Sequence, residues 1–233
     1  MPSVYPLRGT TSGTHPEYLS PDYRSTRERA PSHPPLPLAQ GPDELAVVAF
    51  PRSILLPQDA DLTRQSTDEP IGQRIVVAGR VIDEDGRPVR DSLVEIWQCN
   101  AAGRYHHAKD QHHAPLDPHF RGLGKALTDA DGRYRFTTIR PGAYPWRNHS
   151  NAWRPAHIHF SLFGNAYAQR LVTQMYFPGD PLIPLDPIFL SVPERARDRL
   201  VAAFDLELTQ EGIALGFRFD IVLRGRDATP LNL

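Results

Sequence analysis

The segment AHIHF, residues 156–160, sets His157 and His159 two positions apart. On a β-strand successive side chains point to opposite faces, so residues two apart share a face. An HxH pair on a strand can therefore present two imidazoles to one metal ion; the same spacing also describes two histidines on a half-exposed strand face. The identity of such a metal depends on the other ligands. A non-haem Fe(II) facial triad needs a carboxylate beside its histidines, and AHIHFSL holds no Asp or Glu, while a structural zinc site needs more cysteine than Cys99 alone. Tyrosine is the conspicuous oxygen donor nearby. Tyr144 stands in the loop IRPGAYPW ahead of the histidine strand, and Tyr105 ends a second loop, QCNAAGRY, that also leaves a strand. A phenolate is a hard, strongly donating anion that suits Fe(III), and a metal can hold it deprotonated despite an unperturbed pKa of about 10. For any single loop tyrosine, packing with a hydrogen-bonded hydroxyl is the ordinary alternative.

The elements that must position these residues are short strands. From Arg74 onward RIVVAGRVI, LVEIWQ, RYRFTTI, AHIHFSL, RLVTQMYF and GFRFDIVLR are rich in Val, Ile, Phe and Tyr. DEDGRP (83–88) and DADGRY (129–134) set Asp-Gly between such runs, the usual hairpin signal. DADGRY also echoes a calcium loop, but it lacks the further acidic ligands and the closing Glu, so a hairpin turn is expected. The only helical pattern is PERARDRLVAAF (193–204), opened by Pro and Glu, with apolar residues at helical spacing. Many short strands with little helix predict a mainly β protein with an antiparallel β-sandwich or barrel core. Residues 1–70 read differently. Prolines gather there, and residues 1–42 carry no sustained period of 2 or 3.6, so an extended Pro-rich N-terminal arm (1–70) is expected, packed on the core domain (71–233) or on a partner.

Composition excludes several classes. A chain of 233 residues, 40% hydrophobic, can bury one substantial core, and a formal net charge of -1 without blocks of like charge offers no footprint for nucleic acid or an acidic membrane surface. One cysteine makes no internal disulfide, and no apolar run approaches the roughly 20 residues of a membrane span. The N-terminus has no apolar stretch with a small-residue cleavage site, so a cytoplasmic location is expected. The histidines of YHHAKDQHHAPLDPHF (His106, His107, His112, His113 and His119) invite a second metal site by number alone. Adjacent HH pairs point different ways and no chelating spacing repeats, which favours a solvated loop.

Taken in order, GRYHH, IRPGAYPWRN, WRPAHIHFS, TQMYFPGDPLIP and RFDIVLRG resemble the intradiol ring-cleaving dioxygenases, and the likeness runs from SPDYR in the arm to the end of the chain. Within the family these motifs are most similar to the iron-bearing chains of enzymes that open protocatechuate (3,4-dihydroxybenzoate) with O2 to 3-carboxy-cis,cis-muconate, in aromatic catabolism. The resemblance implies a β-sandwich holding one non-haem Fe(III) per chain, ligated by Tyr105, Tyr144, His157, His159 and a hydroxide. It implies that a catecholic substrate displaces the hydroxide and Tyr144, and that Arg154 in WRPAH stabilises the carbanionic ring. Trp146 and Ile188 match pocket walls, Gln174 a polar group near the iron, and Tyr23 in SPDYR an arm residue that reaches the site. His149 stands where the family often has Gly. The resemblance further implies pairing with an α subunit of the same fold that lacks iron and supplies part of the substrate pocket. Enzymes for catechol or hydroxyquinol are the alternative within the family; they usually begin with a helical dimerisation segment, where this chain is Pro-rich. A non-catalytic β-sandwich binding module and a zinc hydrolase built on HxH are alternatives outside it, and neither accounts for Tyr105, Tyr144 and Arg154 together.

Overall fold

The computed structural model describes residues 13–34, 50–51, 53, 55–56, 58–146, 153–163 and 170–232. Two sheets face each other. In the first, β1 (Arg74–Ile82) runs antiparallel to β4 (Arg133–Ile139) on one side and parallel to β10 (Leu215–Arg218) and β11 (Ile221–Val222) on the other, and β10 pairs antiparallel with β9 (Ala203–Phe204). The second is antiparallel throughout, in the order β3 (Leu123–Leu127), β2 (Leu93–Trp97), β7 (His157–Phe163), β8 (Arg170–Tyr176). A short ribbon of β5 (Tyr144–Pro145) and β6 (Trp153–Arg154) lies apart from both. Of the sandwich and barrel that the strand-rich pattern allows, this is the sandwich that the resemblance implies, mainly β and largely antiparallel; the parallel pairing of β1 with β10 joins residues about 140 apart and leaves no local trace in the sequence.

Side-chain alternation on β7 decides where the site lies. Ile158, Phe160 and Leu162 point into the core between the sheets, where they meet Phe136, Tyr134, Phe219, Val77 and Leu62. His157 and His159 take the opposite face, opposite Tyr176 and Gln174 of β8, with Trp97 of β2 facing His159 on its other side. That outer face is roofed by the loops that leave β2 and β4, so His157 is as buried as a core residue.

The two Asp-Gly segments form their tight turns but not hairpins between sheet neighbours. Asp129 Oδ1 accepts from the backbone N–H groups of Asp131 and Arg133, and Gly132 adopts φ +73°, yet β3 before the turn joins the second sheet and β4 after it joins the first. DEDGRP closes likewise on Asp83, with one bridge between Ile82 and Pro88 before the chain crosses to β2. The carboxylate satisfies the turn locally; which sheet receives the flanking strands is settled by packing. The helix expected over 193–204 is cut to α3 (Glu194–Arg197) and a 3-10 turn at Asp198–Leu200. Beyond it Val201 bridges Tyr176, the Ala202 N–H donates to the Tyr176 carbonyl at 2.9 Å, and Ala203–Phe204 becomes β9, since these backbone groups find sheet partners that a helix would forgo. A second short helix, α2 (Pro187–Ser191), precedes it, capped by Asp186 with Pro187 at its first position, the usual start pair.

Part of the Pro-rich region is laid on this core. Leu62 is fully buried in it, and the segment around it bonds the sheets, with Lys125 N–H on Asp59 O and Thr137 N–H on Ala60 O, both at 2.9 Å. Further toward the N-terminus, α1 (Thr26–Arg29) follows Tyr23, which is buried against Trp146.

The loops carrying Tyr105 and Tyr144 are knitted together. Asn100 Oδ1 accepts from Ala102 N and Arg104 N, its Nδ2 donates to Pro115 O, and its backbone carbonyl accepts from Gly142 N at 3.0 Å. Gly103 sits at φ +81°, and a Cβ there would come 2.1 Å from the Ala143 carbonyl oxygen. Gly103→Ala therefore combines backbone strain with a clash beside Tyr144, and is expected to cost about 1–3 kcal/mol of stability and to lower metal content, measured by urea denaturation and metal analysis of one preparation. An unchanged urea midpoint with full metal content would contradict this close contact.

Candidate metal centre

Four side chains converge on the roofed face of the second sheet. Tyr105 Oη lies 3.1 Å from His159 Nε2, and Tyr144 Oη lies 3.3 Å from His157 Nε2. The imidazole centroids are 4.8 Å apart and the two phenol rings 5.4 Å apart, edge to face. Donors that share one small cation at about 2 Å sit about 3 Å from each other, so the spacing fits a common ion. The tautomer fits as well: His157 Nδ1–H donates to the Pro155 carbonyl at 2.8 Å, which leaves the Nε2 lone pair to face the cluster. His159 stacks on Trp97, with ring planes 3° apart, and its buried Nδ1 has no hydrogen-bond partner among the described residues.

Electrostatics separates this cluster from ordinary packing. Burial, reinforced by Arg154, holds His157 well below the usual imidazole value, and burial with His157 and Arg154 does the same to His159, so both rings are neutral with a lone pair to give. Burial and the neighbouring Tyr144 push the Tyr105 phenol well above its ordinary value. Burial raises Tyr144 too, opposed by the adjacent Arg154. Two buried phenols next to two neutral imidazoles ionise only if a strong cation joins them. Among the described residues no carboxylate belongs to the set: Asp110 accepts from the backbone N–H groups of Tyr105 and His112, and Asp186 is held by Arg154.

Arg154 completes the site from behind. It is paired across the β5–β6 ribbon with Tyr144, and its Nη1 lies 3.3 Å from Tyr144 Oη and 3.0 Å from His157 Nε2. Its Nη2 reaches Gln174 Oε1 at 2.6 Å, the Tyr176 hydroxyl at 3.0 Å and Asp186 Oδ2 at 2.7 Å. Burial works against the guanidinium charge, but Tyr176, Asp186 and Tyr144 outweigh it and hold the pKa above its usual value. The guanidinium also lies 5.3 Å from the ring centroid of Trp146, which packs on Tyr23.

A cavity of about 650 Å³ opens onto the front of the cluster. Trp97, Tyr105, Tyr144, Trp146 and His159 line its inner end, and the loop of His106, His107, His112 and His113, with Lys109 and Arg121, lines its mouth. Arg154, His157, Gln174 and Ile188 do not line it; Tyr144 belongs to both groups, its ring on the cavity and its hydroxyl against Arg154 and His157. Ile188 is buried on α2, two residues past Asp186, whose carboxylate accepts from its backbone N–H at 3.2 Å. His149 lies outside the described residues. Sequence reasoning missed Trp97, Tyr176 and Asp186. For Trp97 and Tyr176 the signal was their register opposite the two histidines, which needs the strand pairing to be known. For Asp186 it was the Asp-Pro helix start, which suggested a cap but not a guanidinium partner.

A family model described as "Dioxygenase" matches residues 50–225, and one described as "Protocatechuate 3,4-dioxygenase beta subunit N terminal" matches residues 8–41. The chain is 60% identical over 221 residues to the protocatechuate 3,4-dioxygenase beta chain of Burkholderia cepacia, spanning 94% of each. It is 29% identical over 161 residues to the protocatechuate 3,4-dioxygenase alpha chain of the same organism, covering 68% of this chain and 76% of that one. Among solved structures, the dioxygenase domain of a dioxygenase carbohydrate-binding protein fusion from Streptomyces sp. SirexAA-E superposes with a TM-score of 0.51 at 25% identity, over 76% of this chain and 97% of that one. With the family model matched over most of its length, and a sandwich that brings two tyrosines and two histidines together, this chain belongs to the intradiol ring-cleavage dioxygenase family.

Proposed function

We propose that the chain is the metal-bearing β subunit of an enzyme that cleaves protocatechuate with O2 between its two hydroxyl-bearing carbons, giving 3-carboxy-cis,cis-muconate with both oxygen atoms incorporated. The observation that carries this reading is the convergence of Tyr105, Tyr144, His157 and His159 without a carboxylate. Two hard phenolates and two imidazoles suit Fe(III) better than zinc or the Fe(II) of a facial triad. Fe(III) held there, one per chain, supplies the Lewis acidity that makes an electron-rich catechol ring reactive toward O2. The likeness to the Burkholderia beta chain, and the match of residues 8–41 to a beta-subunit N-terminal model, favour protocatechuate over catechol or hydroxyquinol.

The roles of the chain's own residues follow from their surroundings. Tyr105, His157 and His159 are the fixed donors, each held by packing or backbone bonds: Tyr105 N–H on Asp110, His157 Nδ1–H on Pro155, and His159 stacked on Trp97. Tyr144 is the responsive one. Burial raises its phenol, so its phenolate is a strong base able to accept a proton at Oη from a substrate hydroxyl. Because its ring stands between the cavity and Arg154, its departure would open the cavity to the guanidinium. Arg154 Nη1 would then face the ring where negative charge develops, as a fixed cation that is itself shut off from water. The indole faces of Trp97 and Trp146 suit the flat ring of the substrate; Tyr23 backs Trp146, and Gln174 and Ile188 lie behind the cavity wall with Arg154 and Asp186. The arm, residues 1–70, would pack on the core and on an α subunit of the same fold; similarity to both alpha and beta chains supports such pairing.

The direct test is a visible absorption spectrum of the protein co-purified with its α subunit, before and after anaerobic protocatechuate. A tyrosinate-to-Fe(III) charge-transfer band that shifts on adding substrate is expected; a protein still colourless after Fe(III) reconstitution would overturn the reading. His157→Ala should lose iron, measured as iron per chain, and a fully active His157→Ala enzyme would remove that ligand. Tyr144→Phe should retain iron but slow substrate binding and product release in stopped-flow traces. Arg154→Ala should keep iron and the resting band while kcat falls about 10²–10³-fold, the range for a lost oxyanion-type partner; an unchanged kcat would refute its role.

A further inference from the structure

Arg154 is a buried cation, 3% exposed, and its counter-charge is the fully buried carboxylate of Asp186. Asp186 Oδ2 accepts from Arg154 Nη2 at 2.7 Å and from the Tyr176 hydroxyl at 2.8 Å, while Oδ1 accepts from Arg154 Nε at 3.3 Å and from the Ile188 backbone N–H at 3.2 Å. Nε and Nη2 are neighbours on one edge of the planar guanidinium. A carboxylate that grips that edge at two points fixes the plane and leaves the remaining nitrogen with a single direction. That nitrogen is Nη1, which lies 3.3 Å from Tyr144 Oη and 3.0 Å from His157 Nε2. Gln174 bears on Nη2 from the side and steadies the fork, while Tyr176, whose hydroxyl also donates to Asp186 Oδ2, holds in place the carboxylate that aims it. The same carboxylate caps α2 and thereby holds Ile188 in place.

Resting on the role given to Arg154 above, we propose that Asp186 is the positioning residue that aims Arg154 Nη1 at the reacting ring, while its cap on α2 anchors the carboxylate itself. A structural ion pair elsewhere in the core would tolerate any guanidinium orientation that satisfied it. Here the orientation itself is the contribution, and it is lost when the grip loosens even if the fold survives.

The test uses the αβ holoenzyme with Asp186→Asn, which keeps the shape and removes the charge, made in the wild-type and Arg154→Ala backgrounds. Expected in the wild-type background are retained iron, an unshifted resting charge-transfer band, and a kcat for protocatechuate at least tenfold lower with KM changed less than threefold. In the Arg154→Ala background the same change should lower kcat less than twofold, because there is no guanidinium left to aim. A fall of the same factor in both backgrounds, or a fall of less than tenfold in the first, would overturn the proposal. Should Asp186→Asn not assemble with iron, Tyr176→Phe carries the comparison, since it removes one partner of the carboxylate and keeps both charges. A threefold or greater fall in kcat confined to the Arg154 background supports the proposal, and an equal fall in both, or none, overturns it. A wild-type complex that does not consume protocatechuate would sink the functional reading instead, which separates the two failures.

Discussion

Strand β7 has to bury both of its faces, and the surrounding architecture answers that demand. One face, through Ile158, Phe160 and Leu162, closes the core between the sheets. The other carries His157 and His159, and burying two imidazoles on a sheet face is costly unless their nitrogens find partners. The loops after β2 and β4 meet the demand by folding over that face and bringing Tyr105 and Tyr144 onto it. Those loops can approach each other because Asn100 binds both and Gly103 has no side chain to keep the Ala143 carbonyl away.

A second layer of buried charge follows from the first. Roofing the histidines also encloses Arg154, and an enclosed guanidinium without a counter-charge would be untenable. Asp186 supplies that charge, and Tyr176 and Gln174 complete the hydrogen bonding of its fork. The result is asymmetric. Behind the donors lies a fixed cation that adds to burial in keeping His157 and His159 neutral and opposes the upward shift that burial gives Tyr144. In front lies an open cavity walled by Trp97 and Trp146. Tyr144 touches both sides, with its ring on the cavity and its hydroxyl against Arg154.

Much of this was legible in the sequence because it is local. The period of 2 in HIHFSLF puts both histidines on one face whatever the strand pairs with. The glycines of QCNAAGRY and PGAY mark loops tight enough to aim a tyrosine. Asp-Gly at 85–86 and 131–132 marks two reversals, each closed by the carboxylate that opens it. The helix at 193 was over-extended because apolar spacing takes no account of the sheet edges waiting for Val201, Ala202 and Ala203.

Local pattern could not carry the rest. Which sheet each Asp-Gly turn feeds, and the parallel pairing of β1 with β10, rest on contacts between residues far apart in the chain, and no nearby sequence encodes them. The partnership of Arg154 with Asp186 spans 32 residues and exists because both are sealed into one volume of low dielectric, where an unpaired charge cannot remain. By itself, then, the sequence determined the donor types, their strand and loop settings and the family resemblance, since these depend on covalent spacing and backbone periodicity. The distances between donors, the burial that raises both phenols, and the carboxylate that pairs with the arginine were decided only by tertiary packing, because each is a property of enclosure, and enclosure is not a property of any one segment.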